Sequence, residues 1–181
     1  MYVSFGTVIW RYFTREALAA LDVLSQVLSA RGTDALISLG NAAVDSVVLQ
    51  SLARPGVRVE RFVDQWQALK HADLAVTHNG INSTHEAVYL QVPMLSYPFF
   101  GDQPLMAERC HTLGIGLPLT TVLRGALDPA EVSRRLDDAV VARPQMLAAL
   151  ARAKAWELAT LARRDQVIDR MLAIAASGVS A

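Results

Sequence analysis

Short apolar runs alternate along this chain with longer stretches whose apolar residues recur every three to four positions. The runs Tyr2–Phe5, Ala35–Leu39, Val57–Val63, Leu74–Thr77 and Pro93–Tyr97 have strand length, and a sixth lies near Gly116–Leu119. Between them, Arg15–Arg31 spaces Leu18, Leu21, Leu24 and Leu28 as one helix face, with Thr14 as its expected N-cap. Further helices are expected from an Asp64 cap to about His71, over Asn82–Gln91 and over Gln103–Leu113. After Asp128-Pro129, a cap followed by a helix-starting proline, the pattern is wholly helical. It predicts helices over Ala130–Val141 and Pro144–Ala176, the second with room for one break.

Strands separated by such helices imply βαβ units: an α/β fold with a Rossmann-like parallel sheet, helices on both faces and a helical C-terminal segment. Ligands in such sheets sit at the carboxyl ends of the strands. Gly6-Thr7, Gly40-Asn41, Asp64-Gln65, His78–Ser83 and Phe99–Gln103 are all strand-end loops, so they line one edge. At 181 residues, 52% of them hydrophobic, the chain reads as one domain with ample core material. Seventeen basic residues balance seventeen acidic ones, which argues against a nucleic-acid partner. The one cysteine, Cys110, has no disulfide partner within the chain and suits a reducing compartment. No apolar run approaches a membrane span, and the first residues start as a strand without a basic leader, so a cytoplasmic location is expected.

The chemistry concentrates at Thr77-His78-Asn79-Gly80-Ile81-Asn82-Ser83-Thr84-His85-Glu86, where a strand runs through a small polar turn into a helix. Free N–H groups and the positive dipole end at such a helix start suit a phosphate. Asn82 and Glu86 share one helical face, and a carboxylate just beyond a phosphate cradle suits the hydroxyls of a ribose. Asp102-Gln103 opens the next helix at the same edge. Together these read as a nucleotide-sugar pocket.

The ordered set of loops resembles the C-terminal, donor-binding half of the UDP-glycosyltransferase family, whose two Rossmann-like domains face each other in the GT-B fold. The family box W-x-P-Q-x-x-x-L-x-H is matched by Phe62-Val63-Asp64-Gln65-Trp66-Gln67-Ala68-Leu69-Lys70-His71. H-C-G-W-N-S-x-x-E is matched by His78–Glu86, G-V-P by Val92-Pro93, and D-Q by Asp102-Gln103. Val3-Ser4-Phe5-Gly6-Thr7 resembles the first strand and loop of that domain. The resemblance implies a nucleoside diphosphate sugar as donor, UDP or TDP, with no metal ion and no further cofactor. It implies that His78, Gly80, Asn82, Ser83, Gly6 and Thr7 hold the donor phosphates. Glu86 and Gln65, with Phe62 and the backbone at Val63, would meet ribose and base, and Asp102 and Gln103 would hold the sugar. Phe62 stands where the family has Trp, Asp64 where it has Pro, Asn79 where it has Cys and Ile81 where it has Trp. These departures resemble bacterial natural-product or glycolipid transferases more than plant ones.

Each assignment has a plainer alternative: a satisfied histidine at His78, a solvated helix residue at Glu86, an N-cap pair at Asp102-Gln103. His85, Cys110, His71 and His111 favour structural roles, while Trp10, Tyr12 and Phe13 face either an acceptor or the interdomain cleft. The family reaction is an inverting displacement at the anomeric carbon. Its base lies in the N-terminal acceptor domain, so no catalytic residue is assigned here, and the chain is expected to span residues 1–181 as the donor domain alone. Little activity is expected without an acceptor domain or partner subunit. A homodimer through Trp156, Leu158, Leu161, Ile168, Met171 and Leu172 of the C-terminal helices is the other expected association. A non-catalytic nucleotide-sugar-binding subunit or regulator is the alternative function. An NAD-type binder is disfavoured, because the first strand ends in Gly6-Thr7-Val8 and not G-x-G-x-x-G.

Overall fold

The computed structural model describes residues 1–177. Six strands form one wholly parallel sheet: β1 Tyr2–Ser4, β2 Ala35–Ser38, β3 Val57–Glu60, β4 Ala75–Thr77, β5 Met94–Ser96 and β6 Gly116–Pro118. Their spatial order is β3-β2-β1-β4-β5-β6, so the sequence doubles back between β1 and β4. That reversal leaves a crevice at the carboxyl ends of β1 and β4, where the connections leave toward opposite sides.

The helices are α1 Thr14–Ala30, α2 Ser46–Leu52, α3 Gln65–Lys70, α4 Ile81–Leu90, α5 Gln103–Thr112, α6 Pro129–Leu161 and α7 Arg164–Ser177. Strand alternation divides the core. Val3, Phe5, Ile37, Val76 and Leu95 pack under Leu21, Leu24 and Leu28 of α1 and Val132, Leu136 and Ala139 of α6. Tyr2, Ala75 and Met94 on the other face pack under Leu69 of α3, Ala87 and Val88 of α4 and Cys110 of α5. α6 serves both layers, because its Met146 joins the first cluster and Ala149 and Leu150 join the second.

Three local expectations are corrected and one helix is new. Thr14 is not the N-cap of α1: Phe13 holds that place, and the Thr14 hydroxyl donates to the carbonyl of Trp10 at 2.6 Å. A hydroxyl already turned back onto the preceding 3-10 turn (Ile9–Arg11) is lost to the helix start. The helix α2 went unpredicted, since Ser46-Val47-Val48-Leu49 has weak helical propensity. It forms because Leu52 is buried and its carbonyl accepts from the Ser25 hydroxyl on α1. β3 stops at Glu60 instead of Val63, which frees residues 61–64 to form a loop at the sheet edge. Finally, no break occurs at Pro144. α6 runs through it, and the interruption falls at Ala162 and Arg163. The bond that Pro144 cannot make would go to Val140, which is exposed, while burial of Ala139 and Met146 pins the helix on either side.

No helix among the described residues is long and apolar enough to cross a membrane. α7 buries none of its side chains, and Trp156, Met171 and Leu172 are exposed.

Candidate functional site

Four neighbouring strands end level with one another, and each ends in a hydroxyl. Ser38, Ser4, Thr77 and Ser96 are successive partners in register across β2, β1, β4 and β5, and all are buried. Three of these hydroxyls close the same small turn. Ser4 Oγ accepts from Gly6 N at 3.3 Å, Ser38 Oγ from Gly40 N at 3.4 Å, and Thr77 Oγ1 from Asn79 N at 3.2 Å. Each turn places its second residue at positive φ: Gly6 at 75°, Gly40 at 57° and Asn79 at 58°. Asparagine tolerates that region better than most side chains, which accounts for Asn79 at a buried position. Its amide donates to Cys110 Sγ at 3.6 Å.

Three glycines here are fixed by crowding. A Cβ on Gly40 would stand 2.0 Å from the Gly6 carbonyl oxygen, so the loops after β1 and β2 touch backbone to backbone. The His78 imidazole lies between Gly6 and Gly80. A Cβ at Gly6 would fall 2.7 Å from its Cε1 and Nε2, and one at Gly80 would fall 2.4 Å from Nε2. The indole of Trp10 donates to the Gly6 carbonyl at 2.9 Å and fixes the first loop from outside.

Burial lowers the His78 pKa to about 4 against a weaker opposing pull from Asp102. The ring is therefore neutral near pH 7. Its Nδ1 is buried without a partner. A neutral imidazole at this point gives one N–H donor beside the start of α4, whose N-cap, Gly80, brings no side-chain cap.

Across the crevice, Asp64 caps α3 by accepting from Gln67 N at 3.1 Å. Gln65, the first residue of α3, donates to Glu86 Oε2 at 2.7 Å and to Ser83 Oγ at 3.1 Å. Tyr2 lies beneath them, its hydroxyl pKa raised chiefly by burial and further by Glu86 and Asp64. On the third side, Asp102 is the N-cap of α5 but makes no side-chain cap bond, so its carboxylate stays uncommitted. Gln103 is 5% exposed, and its carbonyl oxygen accepts from Phe99 N at 2.9 Å and Phe100 N at 3.2 Å. Only its amide N–H groups remain for a ligand.

These groups line one open cavity of about 680 Å³. It brings together every expected site residue: Gly6, Thr7, Phe62, Val63, Gln65, His78, Gly80, Asn82, Ser83, Glu86, Asp102 and Gln103. Phe62 is 66% exposed at its rim. Sequence reasoning missed Tyr2, Ser4 and Ser38, which also line it, as does Gly40 of the expected strand-end loop. The signal for Ser4 and Ser38 was present as a hydroxyl two residues before a strand-end glycine. Asp64, expected as a helix cap, caps α3 and also lines the cavity.

The remaining candidates lie elsewhere. His85 pairs with Glu157 of α6 at 2.6 Å, away from the cavity. His71 and His111 are exposed. Phe13 packs on Phe99 and Phe100 beneath the Arg124 guanidinium, 4.7 Å from its ring, while Tyr12 is exposed. Among the described residues no group of three His, Cys, Asp or Glu side chains is placed to hold a metal ion.

A helix start without a side-chain cap, a clamped carboxylate and a free carboxylate surround the switch-point crevice of a doubly wound α/β domain. The sequence profile described as UDP-glucoronosyl and UDP-glucosyl transferase matches residues 1–131, and the chain belongs to that family. The NDP-glycosyltransferase YjiC of Bacillus licheniformis is 30% identical over 119 residues, covering 64% of this chain and 28% of that protein. The zeaxanthin glucosyltransferase of Pantoea ananas is 42% identical over 59 residues, covering 33% of this chain and 14% of its own. Among solved structures, Os79 from O. sativa in complex with UDP superposes with a TM-score of 0.70 at 23% identity, over 84% of this chain and 34% of that one. The glycosyltransferase of kitacinnamycin gives 0.69 at 24% identity, over 85% and 37%. The chain spans between 14% and 35% of the length of the curated relatives it matches.

Proposed function

We propose that this chain is the donor-binding half of an inverting glycosyltransferase that uses a nucleoside diphosphate sugar. The observation that carries the reading is the one cavity at the β1/β4 switch point that gathers the twelve residues expected to hold the donor. The diphosphate lies at the start of α4, with His78 as a neutral donor and Asn82, Ser83 and Thr7 beside it. Glu86 and Gln65 take the ribose, Phe62 and the backbone at Val63 take the base, and Asp102 and the Gln103 amide take the sugar.

In the reaction an acceptor hydroxyl oxygen attacks the anomeric carbon, and the bond from that carbon to the β-phosphate oxygen breaks. The nucleoside diphosphate departs with that electron pair. The acceptor proton goes to a base that none of the four histidines here supplies. This half stabilises the charge growing on the departing diphosphate, through helix N–H groups, the dipole of α4 and the His78 N–H. One such donor is worth roughly 3 kcal/mol in the transition state. The exposed stripe of Trp156, Ile168, Met171 and Leu172 supports a covering partner, either an acceptor half or a second copy.

A thermal-shift titration with UDP, dTDP, GDP and NAD tests the site. Ligand at ten times its dissociation constant adds about 1.4 kcal/mol, or roughly 3 °C for a domain of this size. A UDP or dTDP shift abolished by His78→Ala or Glu86→Ala is expected. A shift that survives both substitutions, or one produced by NAD alone, would overturn the assignment.

A further inference from the structure

A second cavity, of about 340 Å³, lies between α5 and the loop that leaves β6. It shares no lining residue with the cavity at the β1/β4 switch point. Its size suits a small molecule. The loop that forms one wall is fastened to the sheet in three places. Leu119 N donates to the Ser96 carbonyl at 2.9 Å, the Tyr97 hydroxyl to the Gly125 carbonyl at 3.0 Å, and the Arg124 guanidinium to the Phe99 carbonyl. The cavity is therefore formed before any ligand arrives.

Its floor holds an unsatisfied polar group. Side chains alternate along a strand, so Ser96 stands on the same side of β5 as Met94, which joins Cys110 of α5 in the second core cluster. Ser96 is 2% exposed and lines the cavity, and its hydroxyl has no hydrogen-bond partner. A buried hydroxyl without a partner costs free energy that a ligand hydroxyl can recover.

The rest of the lining favours a ligand that donates hydrogen bonds and carries positive charge. Pro98, Pro104 and Pro118 bring no backbone N–H to their walls. The N–H of Val122 is already held by Thr120 Oγ1 at 3.2 Å. Glu108 adds a formal negative charge, and no lysine or arginine lines the cavity. Its carboxylate has no partner among the described residues, since the one side chain bonded to Glu108 is Thr112, whose hydroxyl donates to the backbone carbonyl. His111 completes the mouth, with ring nitrogens able to donate or accept.

From these observations we propose that the cavity is a second small-molecule site, taking a primary ammonium on a short apolar body with a hydroxyl at its far end. The ammonium meets Glu108, the body lies between the prolines, Ala107 and Val122, and the hydroxyl meets Ser96. The site is separate from the donor cavity and does not depend on it.

Three molecules of similar size test the assignment. They are tyramine, tyrosol, in which a hydroxyl replaces the ammonium, and phenethylamine, which lacks the phenol hydroxyl. Amide chemical-shift titrations of the full chain, with and without UDP, give their dissociation constants. Tyramine is expected to bind at about 1 mM, in keeping with its few atoms, and to shift the amides of Ala107, His111 and Leu123. Tyrosol and phenethylamine should each bind about fivefold less tightly, the worth of an exposed ion pair and of one hydrogen bond. In Glu108→Gln the preference for tyramine over tyrosol should fall below about twofold, with UDP binding unchanged. In Ser96→Ala the preference over phenethylamine should vanish in the same way. A substitution that weakens all three molecules equally would overturn the role of that residue. Equal binding of tyramine and tyrosol to the native chain would overturn the ammonium assignment. Displacement of tyramine by UDP, or binding of none of the three, would overturn the site.

Discussion

Gly80→Ala isolates the packing that seats His78. Gly80 has φ −60° and ψ 145°, a conformation that alanine adopts freely, so the substitution brings no backbone strain. On the backbone term alone it should stabilise the fold by about 0.5 kcal/mol, through a less flexible unfolded chain. The added methyl, however, would stand 2.4 Å from His78 Nε2, 3.0 Å from Cε1 and 3.3 Å from Cδ2. The ring has little room to retreat, because the same Cε1 and Nε2 already lie close to Gly6, 2.7 Å from where a Cβ there would stand. Overpacking of this kind costs about 1–3 kcal/mol, so the net loss should be about 1–2 kcal/mol, or roughly 2–8 °C in midpoint for a domain of this size. Urea unfolding of the native chain, Gly80→Ala, His78→Ala and the double variant gives the coupling directly. In the His78→Ala background, Gly80→Ala should turn neutral or stabilising, a coupling of about 2 kcal/mol. An equal cost in both backgrounds would refute the sandwiched imidazole and with it the stated reason for glycine at position 80.

Further outcomes follow from the same geometry. His78 takes up a proton near pH 6.5 in the unfolded chain but only near pH 4 in the fold. Unfolding therefore binds a proton between those values, and stability should fall by up to about 3 kcal/mol as pH drops through that window; chemical denaturation at pH 7 and pH 4.5 should show a smaller fall in His78→Gln, and an equal fall would deny the residue this role. Phe62→Trp restores the larger ring at the cavity rim and should tighten UDP binding by a few fold, about 0.5–1 kcal/mol of extra stacking, measured by calorimetry; an unchanged constant would move the base elsewhere. Glu157→Gln breaks the pair with His85, whose side chain is 58% exposed, so unfolding should report a loss below about 1 kcal/mol with UDP affinity intact. A large loss of UDP affinity would mean that α6 reaches the site.

Periodicity and turn chemistry located the alternation of strands and helices, because short runs apolar on both faces have few other solutions in water. The strand-end glycines, the helix start at Gly80 and the carboxylate at Glu86 were legible for a similar reason: their chemistry depends on neighbours within a few residues. The Asp64 cap was legible too, and its bond to Gln67 N is local. The sequence did not reveal α2, whose helix exists through burial of Leu52 and a bond from Ser25. Nor did it place the helix break, since the uninterrupted run through Pro144 rests on core residues to either side. Strand order was equally beyond it. Only the β3-β2-β1-β4-β5-β6 arrangement sets Ser38, Ser4, Thr77 and Ser96 in one row and opens the crevice between the loops after β1 and β4. The clamp of Gln65 on Glu86 spans twenty-one residues of chain, and the His78 ring meets Gly6 from seventy-two residues away in sequence. Local pattern thus picked out residues that line the crevice. Tertiary packing decided their charge state, their orientation and which of their polar atoms remain free, because burial and distant partners act through space and leave no mark on spacing along the chain.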